Sequence, residues 1–420
     1  MFEFDETLLS LADAALTRCA PAFAAIDSVT ERNQQKMLAS FIHHKVSETM
    51  FAPSTGYGYN DVGRDTLDAV FAEAVGAEDA VVRHNFTCGT HTLTVALFGV
   101  LRPGDAMLCV TGLPYDTIQP VIGIGETSAA GSLKDFGVRY EQVDLKPDGT
   151  VDFDAIRAAV RDLQPKMVYI QRSRGYSLRP SLSVEEIGRI VQITKEGSDA
   201  VVMVDNCYGE FVEDREPTAV GADLMAGSLI KNPGGGIART GGYIAGRHDL
   251  VELCCNRLTT PGLGREVGAT LGMTRELFMG VFHAPHVVGE ALKTAAFTAA
   301  LFASLGFDTT PQPGEARHDI IQAIKLKTPE NLIAFCKGLQ RGAPVDSFVT
   351  PVPSPMPGYD SDVIMSAGAF TLGSSIELSA DAPLREPYAV WFQGGLNFFA
   401  SKPAVLSAAK EVLALQTTPE

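Results

Sequence analysis

Three short stretches of this chain place reactive residues where a ligand could reach them. Asp205 ends the apolar run 200–204, and Lys231 lies in the mostly apolar segment 226–231, just before the glycines 234–236. Gly89 and Thr90 lie at the start of the apolar, helix-like run 93–101. A carboxylate, an amine and a small turn at a helix start could respectively pair with a cationic ring, attack a carbonyl and bind an anion.

Each stretch also has an ordinary structural interpretation. Asp205 could be a helix cap or a turn residue, and Thr87 or Thr90 could simply cap a helix. Lys231 could extend to solvent, although burial in a dry pocket would lower its pKa and make the amine nucleophilic. The Ser228-x-x-Lys231 spacing of penicillin-interacting enzymes is not accompanied here by Ser-Asp-Asn or Lys-Thr-Gly.

Taken together and in this order, the three stretches predict a site for pyridoxal 5'-phosphate (PLP). This cofactor needs a lysine for its aldehyde, an acid opposite its ring nitrogen and a cradle for its phosphate. Ser228, one helical turn before Lys231, could add a hydroxyl donor to the phosphate. Tyr115 follows another predicted strand and could stack on the ring, although packing in the core is the alternative.

The sequence around these residues predicts an α/β fold with a mainly parallel sheet. Apolar runs typical of buried strands alternate with helical stretches. The predicted strands are 106–111, 167–170, 200–204 and 242–245, and the predicted helices are 7–50, 153–163 and 184–195. In such sheets ligands bind beyond the carboxyl ends of the strands. A long apolar helix over 286–305 and a strand over 368–378 predict a smaller α+β domain after it.

Composition restricts the class of protein. The chain has 420 residues, is 45% hydrophobic and carries a net charge of −16, so it can bury a large core but repels nucleic acids and anionic lipids. Its acidic start and the absence of a long apolar run predict a cytoplasmic protein, and its seven cysteines are interpreted as reduced thiols. The histidine pairs His43/His44 and His283/His286 have no carboxylate or cysteine at matching spacing, so no metal site is predicted.

Several long motifs resemble one enzyme family. The chain is similar to the methionine gamma-lyase-like proteins, often labelled aluminium resistance proteins, a branch of the aspartate-aminotransferase-type PLP enzymes. The motifs are GYGYNDVGR (56–64), CGTH (88–91), LRPGD (101–105), QRSRGY (171–176), VDNCYGEF (204–211), AGSLIKNPGGG (226–236), PGYD (357–360) and ELSAD (377–381). The resemblance implies an N-terminal helical arm (1–60), a large PLP domain with a seven-stranded type of sheet (61–285) and a small C-terminal domain (286–420).

The resemblance also implies roles for individual residues. Lys231 matches the Schiff-base lysine and Asp205 the partner of the ring nitrogen, and Lys231 and Tyr115 match catalytic positions. The remaining positions are Gly89, Thr90 and Ser228 for phosphate, Tyr115 for stacking, Tyr57 or Tyr59 for a neighbouring subunit's phosphate, and Arg385 or Arg174 for the substrate carboxylate. The family pattern thus implies a homodimer or homotetramer with shared active sites. Two departures are Ile230, where related lyases have a hydroxyl residue, and Cys88, where serine is common.

The predicted activity is β- or γ-elimination at a carbon–sulfur bond. The substrate would be a small sulfur-containing amino acid such as methionine, cysteine or cystathionine, with Lys231 removing the α-proton. Two alternatives remain open at this point. One is another PLP reaction, namely transamination or side-chain exchange, and the other is a PLP-binding protein without turnover that acts in metal tolerance.

Overall fold

The computed structural model describes residues 2–125, 130–356 and 361–416. In these parts of the chain the helices are α1 (Glu6–His43), α2 (Val62–Val75), α3 (Gly89–Val100), α4 (Gln119–Ile122), α5 (Phe153–Leu163), α6 (Val184–Gly197), α7 (His248–Leu258), α8 (Thr274–Ser304), α9 (Pro329–Arg341) and α10 (Phe398–Gln416). The strands are β1 (Asp79–Arg83), β2 (Ala106–Cys109), β3 (Arg139–Gln142), β4 (Met167–Gln171), β5 (Val201–Asp205), β6 (Leu224–Ser228), β7 (Gly242–Gly246), β8 (Asp308–Thr310), β9 (Gln322–Lys325), β10 (Val363–Ser366), β11 (Ser379–Pro383) and β12 (Ala389–Gln393).

The chain divides into two compact units. One unit comprises residues 32–283, and the other comprises residues 1–31 together with residues 284–420. The divisions therefore fall inside the long helices α1 and α8. The predicted boundary between the large and small domains, at 285/286, lies beside the second division, while the first part of the predicted N-terminal arm groups with the C-terminal residues.

The unit of residues 32–283 is built on a seven-stranded sheet in the order β1-β7-β6-β5-β4-β2-β3. Strands β3, β2, β4, β5 and β6 are parallel, and β7 pairs antiparallel with both β6 and β1. Strands β4, β5 and β6 are buried at every position, as expected for a parallel sheet covered on both faces. The predicted fold class is confirmed.

The other unit contains a five-stranded sheet in the order β10-β11-β12-β9-β8, in which all pairs are antiparallel. Its core is aromatic and aliphatic, with Phe297 of α8, Phe335 of α9 and Phe392 of β12 fully buried. A helix-plus-antiparallel-sheet unit agrees with the α+β character predicted for the C-terminal part.

The predicted strand over 368–378 is wrong. These residues form a loop between β10 and β11, turning at Gly373 with φ +78°. The buried Glu377 carboxylate accepts hydrogen bonds from the backbone N–H groups of Phe370 and Thr371, at 2.8 and 2.9 Å. The side chain therefore satisfies backbone donors that a strand would pair in its ladder.

Two helices are long and apolar enough, by length and composition alone, to cross a bilayer: α1 and α8. In α8, 83% of the apolar window is buried inside the protein, as in the core helix of a globular unit. The apolar window of α1 is mostly exposed. Both helices exceed the sequence-based expectation that no apolar run reaches spanning length.

Candidate active site

Most of the predicted site residues lie along one edge of the seven-stranded sheet. Strands β2, β4, β5 and β6 are parallel neighbours, so their carboxyl ends share an edge. Strand β1 runs in the same direction, because β7 separates it from β6 by two antiparallel pairings. The residues that follow these five strands therefore lie along the same edge, where α/β sheets bind ligands.

Lys231 lies three residues after β6 and is half-buried. Its Nζ atom donates a hydrogen bond to the Tyr208 hydroxyl at 2.5 Å and lies 3.9 Å from the centre of the Tyr208 ring. Burial lowers the pKa of Lys231, but Tyr208, Cys207 and Asp205 together raise it by more, so the net pKa lies above its usual value. The lowered pKa expected from desolvation alone is wrong, because the acidic neighbours outweigh burial.

Asp205 is the last residue of β5, and it is buried. One carboxylate oxygen accepts the backbone N–H of Cys207 at 3.1 Å, and the other accepts the Tyr169 hydroxyl at 3.5 Å. Burial raises the pKa of Asp205, while these hydrogen bonds and the charge of Lys231 oppose the rise. A buried carboxylate held in this way is prepared to pair with a cationic group that enters from the edge.

A tight turn is formed where the start of α3 meets the end of β6. A Cβ atom added to Gly89, the first residue of α3, would lie 3.3 Å from the Cβ atom of Ser228. Ser228 is fully buried, and its Oγ atom has no hydrogen-bond partner among the described residues. The first N–H groups of a helix also lack partners within the helix. The turn therefore offers several donors to an anion.

The cap of α3 is Cys88 rather than Thr87 or Thr90. The Cys88 sulfur accepts the N–H of His91 at 3.3 Å. The Thr90 hydroxyl hydrogen-bonds with the Thr117 hydroxyl at 2.7 Å. The departure from the family pattern at Cys88 therefore keeps a capping acceptor, although sulfur is a weaker one than oxygen.

Tyr115 lies at the same edge, in the loop after β2. Its backbone N–H donates to the side-chain oxygen of Gln171 at 2.6 Å, and Gln171 is the register partner of Asp205. The Tyr115 ring is half-buried and lies 6.1 Å from the Tyr176 ring. Arg174, in the loop after β4, is buried, and its Nε atom donates to the Ser181 hydroxyl at 3.3 Å.

Three predicted site residues, namely Tyr57, Tyr59 and Arg385, are exposed. Tyr57 and Tyr59 stack on each other, with ring centroids 5.3 Å apart, and remain 68% and 53% exposed. Their loop is anchored by Arg64, which donates to the carbonyl oxygens of Gly58 and Gly268. Arg385 belongs to the other unit and is exposed after β11. The motif 357–360 lies outside the described residues.

Sequence reasoning missed Tyr208 and the buried groups behind Lys231. Tyr208 has φ +72°, a left-handed conformation that is rare for a tyrosine and is often found at functional sites. The fully buried Glu210 accepts the Tyr243 hydroxyl at 2.8 Å, and its backbone oxygen accepts the side-chain amide of Asn232. The available signal was the polar segment 206–210, directly after the buried strand β5.

Comparisons with known proteins agree with this arrangement. The model of the methionine gamma-lyase family matches residues 8–413. An uncharacterized protein of Bacillus subtilis, YnbB, is 50% identical over 392 residues, or 93% of each chain. The crystal structure of a carbon-sulfur lyase involved in aluminium resistance from Clostridium novyi is 49% identical, with a TM-score of 0.93 and 96% of each chain covered.

A more distant relative carries a named activity. The L-methionine gamma-lyase of Pseudomonas putida is 28% identical over 217 residues, which is 51% of this chain and 48% of that enzyme. The family match extends over nearly all of the chain and includes every element that forms the candidate site. The chain belongs to the methionine gamma-lyase family.

Proposed function

We propose that this protein is a PLP-dependent carbon–sulfur lyase acting on a small sulfur-containing amino acid. The observation that carries the proposal is the convergence of the Lys231 amine with the buried Asp205 carboxylate and the Gly89–Ser228 turn at one sheet edge. The carbon–sulfur lyase from Clostridium novyi and the L-methionine gamma-lyase from Pseudomonas putida support the reaction class.

The residues at this edge fit the cofactor. The unpartnered Ser228 Oγ atom and the N-terminus of α3 are donors for a phosphate, and the missing Cβ atom of Gly89 leaves room beside them. Lys231 would hold the aldehyde end, Asp205 the ring nitrogen, and Tyr115 one face of the ring. When bound, PLP supplies an electron-withdrawing ring that stabilises negative charge at the substrate α-carbon.

The side chains around Lys231 are suited to moving a proton. The Tyr208 hydroxyl lies 2.5 Å from the Lys231 nitrogen, within reach of a proton on either group. Tyr208 can therefore accept a hydrogen bond from the ammonium or donate one to the neutral amine. We propose that this pair keeps the Lys231 nitrogen positioned as the general base for the α-proton.

We propose Arg174 ahead of Arg385 as the residue that binds the substrate carboxylate. Arg174 is buried and follows β4, whose last residue pairs with Asp205 in register. A guanidinium at such a position can bind a carboxylate through two parallel hydrogen bonds. Arg385 is exposed in the other unit, and it remains the alternative.

The exposed Tyr57 and Tyr59 pair supports an oligomer. Two large rings held in a loop by the buried Arg64 are positioned to contact another molecule rather than their own core. We propose that a second copy of the chain receives one of these rings at its phosphate, in a homodimer or a homotetramer.

The test is an assay of the purified, PLP-loaded protein against methionine, cysteine and cystathionine without a keto-acid acceptor. We expect keto acid, ammonia and a thiol product in equal amounts. The Lys231→Ala variant should lose the visible absorbance of bound PLP and at least about 10³-fold in turnover, because the nucleophile and base are removed together. Replacing the exposed Lys166 by Ala should change neither.

Three outcomes would contradict the proposal. Product formation only with a keto-acid acceptor would indicate an aminotransferase, and exchange of the side chain without ammonia release would indicate a synthase. Full cofactor absorbance without turnover of any sulfur amino acid would indicate a binding protein.

A further inference from the structure

A cluster outside the active site combines two imidazoles with one carboxylate. His43 Nδ1 and His44 Nε2 each lie 2.7 Å from the same oxygen of Glu73, Oε2. The three ligand atoms lie within 4.8 Å of one another. His43 is the last residue of α1 and Glu73 belongs to α2, so the cluster joins the ends of two helices within the unit of residues 32–283.

The backbone explains why adjacent histidines converge on one atom. Two neighbouring residues on a helix project about 100° apart, so they do not normally face the same partner. Here α1 ends at His43, and Lys45 takes a left-handed conformation with φ +53°. The chain leaves the helix between the two rings, whose centroids are 4.8 Å apart.

The Glu73 carboxylate has a further contact with α1. The Ser40 hydroxyl, which donates to the Val70 carbonyl at 2.8 Å, lies 3.5 Å from Glu73 Oε2. The hydrogen bond from His43 holds the pKa of Glu73 below its usual value. The side chain of His44 is only 27% exposed, so its ring is restrained as well. Two imidazoles and a carboxylate form a set that binds first-row divalent metals.

In a second cluster of possible metal ligands, an arginine side chain already pairs with the carboxylates. Asp79, His248 and Glu252 also bring three ligand atoms within 4.8 Å. There, however, the Arg265 guanidinium lies 2.5 Å from Asp79 and 2.5 Å from Glu252. A permanent positive charge thus occupies the carboxylates and repels a metal ion. In the described part of the chain, no arginine or lysine ion pair is formed by Glu73.

We propose that His43 Nδ1, His44 Nε2 and the Glu73 carboxylate form a binding site for a borderline divalent transition metal, with Zn²⁺ as its best representative. The metal would lie between the two ring nitrogens and the Glu73 oxygen that they now contact. Water would complete the tetrahedron. The bound ion would tie the end of α1 to the C-terminal end of α2.

The test is calorimetric titration of the tag-free, PLP-loaded protein with Zn²⁺ and, separately, with Mg²⁺. We expect wild type to bind one Zn²⁺ at this site and to show no comparable binding of Mg²⁺, which prefers an octahedral set of oxygens. His44→Ala and Glu73→Gln should each raise the dissociation constant for Zn²⁺ at least tenfold. His248→Ala, in the cluster occupied by Arg265, is the matched control and should bind as wild type does.

A second measurement guards against variants that fold poorly. Thermal melts with and without Zn²⁺ should show an upward shift of Tm in wild type and His248→Ala, and little shift in His44→Ala and Glu73→Gln. Equal Zn²⁺ affinity in wild type and both site variants would overturn the proposal, as would wild-type protein that binds no Zn²⁺. Binding lost only after modification of Cys88 would assign the metal to that exposed thiol instead.

Discussion

Asp205 and Asn206 are consecutive residues, yet they belong to two different polar regions of the same unit. Asp205 faces the cofactor edge, the region of Lys231, Asp205, Gly89 and Ser228. The Asn206 side-chain oxygen instead accepts a hydrogen bond from Arg172 at 2.8 Å. Such a separation is expected where a strand ends, because successive side chains point to opposite faces of a sheet.

The second region, which we call the arginine network, consists of Arg172, Asn206, Glu213 and Glu216. Arg172 is fully buried, and all three of its guanidinium nitrogens donate hydrogen bonds within the protein. At the cofactor edge, by contrast, the buried Ser228 Oγ atom has no partner among the described residues. The network is complete by itself and supports the fold, whereas the edge becomes complete only with a ligand.

The largest effect is expected in the arginine network. Arg172→Met removes the cation between the half-buried Glu213 and the buried Glu216, and only neutral donors then contact these carboxylates. The variant should lower the free energy of unfolding by about 3–5 kcal/mol. Urea denaturation measures this change. Arg239→Met is the matched control, since Arg239 pairs with Glu276 at the surface, and it should cost less than about 1 kcal/mol. Equal costs for the two variants would contradict the structural role proposed for the arginine network.

At the cofactor edge, Asp205→Asn should impair turnover far more than folding. Loss of the carboxylate opposite the ring nitrogen should lower kcat by about 10²–10³-fold, a typical loss when one preorganised electrostatic partner is removed. Since burial raises the pKa of Asp205, the neutral amide should not destabilise the protein. Steady-state kinetics beside urea denaturation separate the two effects, and an unchanged kcat would contradict the proposed role.

Glu210 lies between the two regions and should make stability depend on pH. Burial raises the pKa of Glu210 to about 8. Between about pH 5 and pH 8 the folded state keeps this proton while the unfolded state has lost it, so the free energy of unfolding falls as pH rises. Above about pH 8 both states are ionised and this slope ends.

Glu210→Gln removes that titration. The free energy of unfolding of the variant should exceed that of wild type by an amount that grows from pH 5 to pH 8, to on the order of a few kcal/mol. Above about pH 8 this difference should stay constant. Urea denaturation at several pH values measures the difference. A difference between the two proteins that does not vary with pH would show that Glu210 titrates normally.

The smallest effect is expected for Ser228→Ala. One donor to the phosphate is lost, so the affinity for PLP should fall about tenfold, which corresponds to roughly 1.4 kcal/mol. Without PLP the variant should be as stable as wild type, because the Oγ atom makes no hydrogen bond within the described residues. Titration with PLP followed by absorbance gives the affinity, and a loss of stability without PLP would instead assign Ser228 to the fold.

The elements of the parallel sheet could be predicted well because their signals are local. The helix Phe153–Leu163 agrees with the prediction residue for residue, and its start is fixed by Asp152, whose side chain accepts the N–H of Ala155 at 3.0 Å. The predicted strand 368–378 failed because Glu377 redirects the backbone of residues 370 and 371. A side chain that accepts backbone hydrogen bonds leaves no periodic pattern in the sequence.

The candidate site was predictable in its reactive residues but not in its supporting contacts. Asp205 and Ser228 end buried strands and Lys231 follows one, so the topology of the sheet brings them to one edge. The contact of Lys231 with Tyr208 depends on a left-handed backbone, and that of His43 with Glu73 joins residues 30 positions apart. Neither contact follows from spacing along the chain.

The capping sulfur of α3 has a practical consequence. Of the seven cysteines, six are buried and Cys88 alone is exposed, immediately before Gly89 and Thr90. An alkylating reagent applied to the native protein should therefore modify a single position, beside the proposed phosphate site. Bound PLP should slow the modification of Cys88. Its rate, followed by mass spectrometry on the wild-type chain, would therefore report how much of the site is occupied.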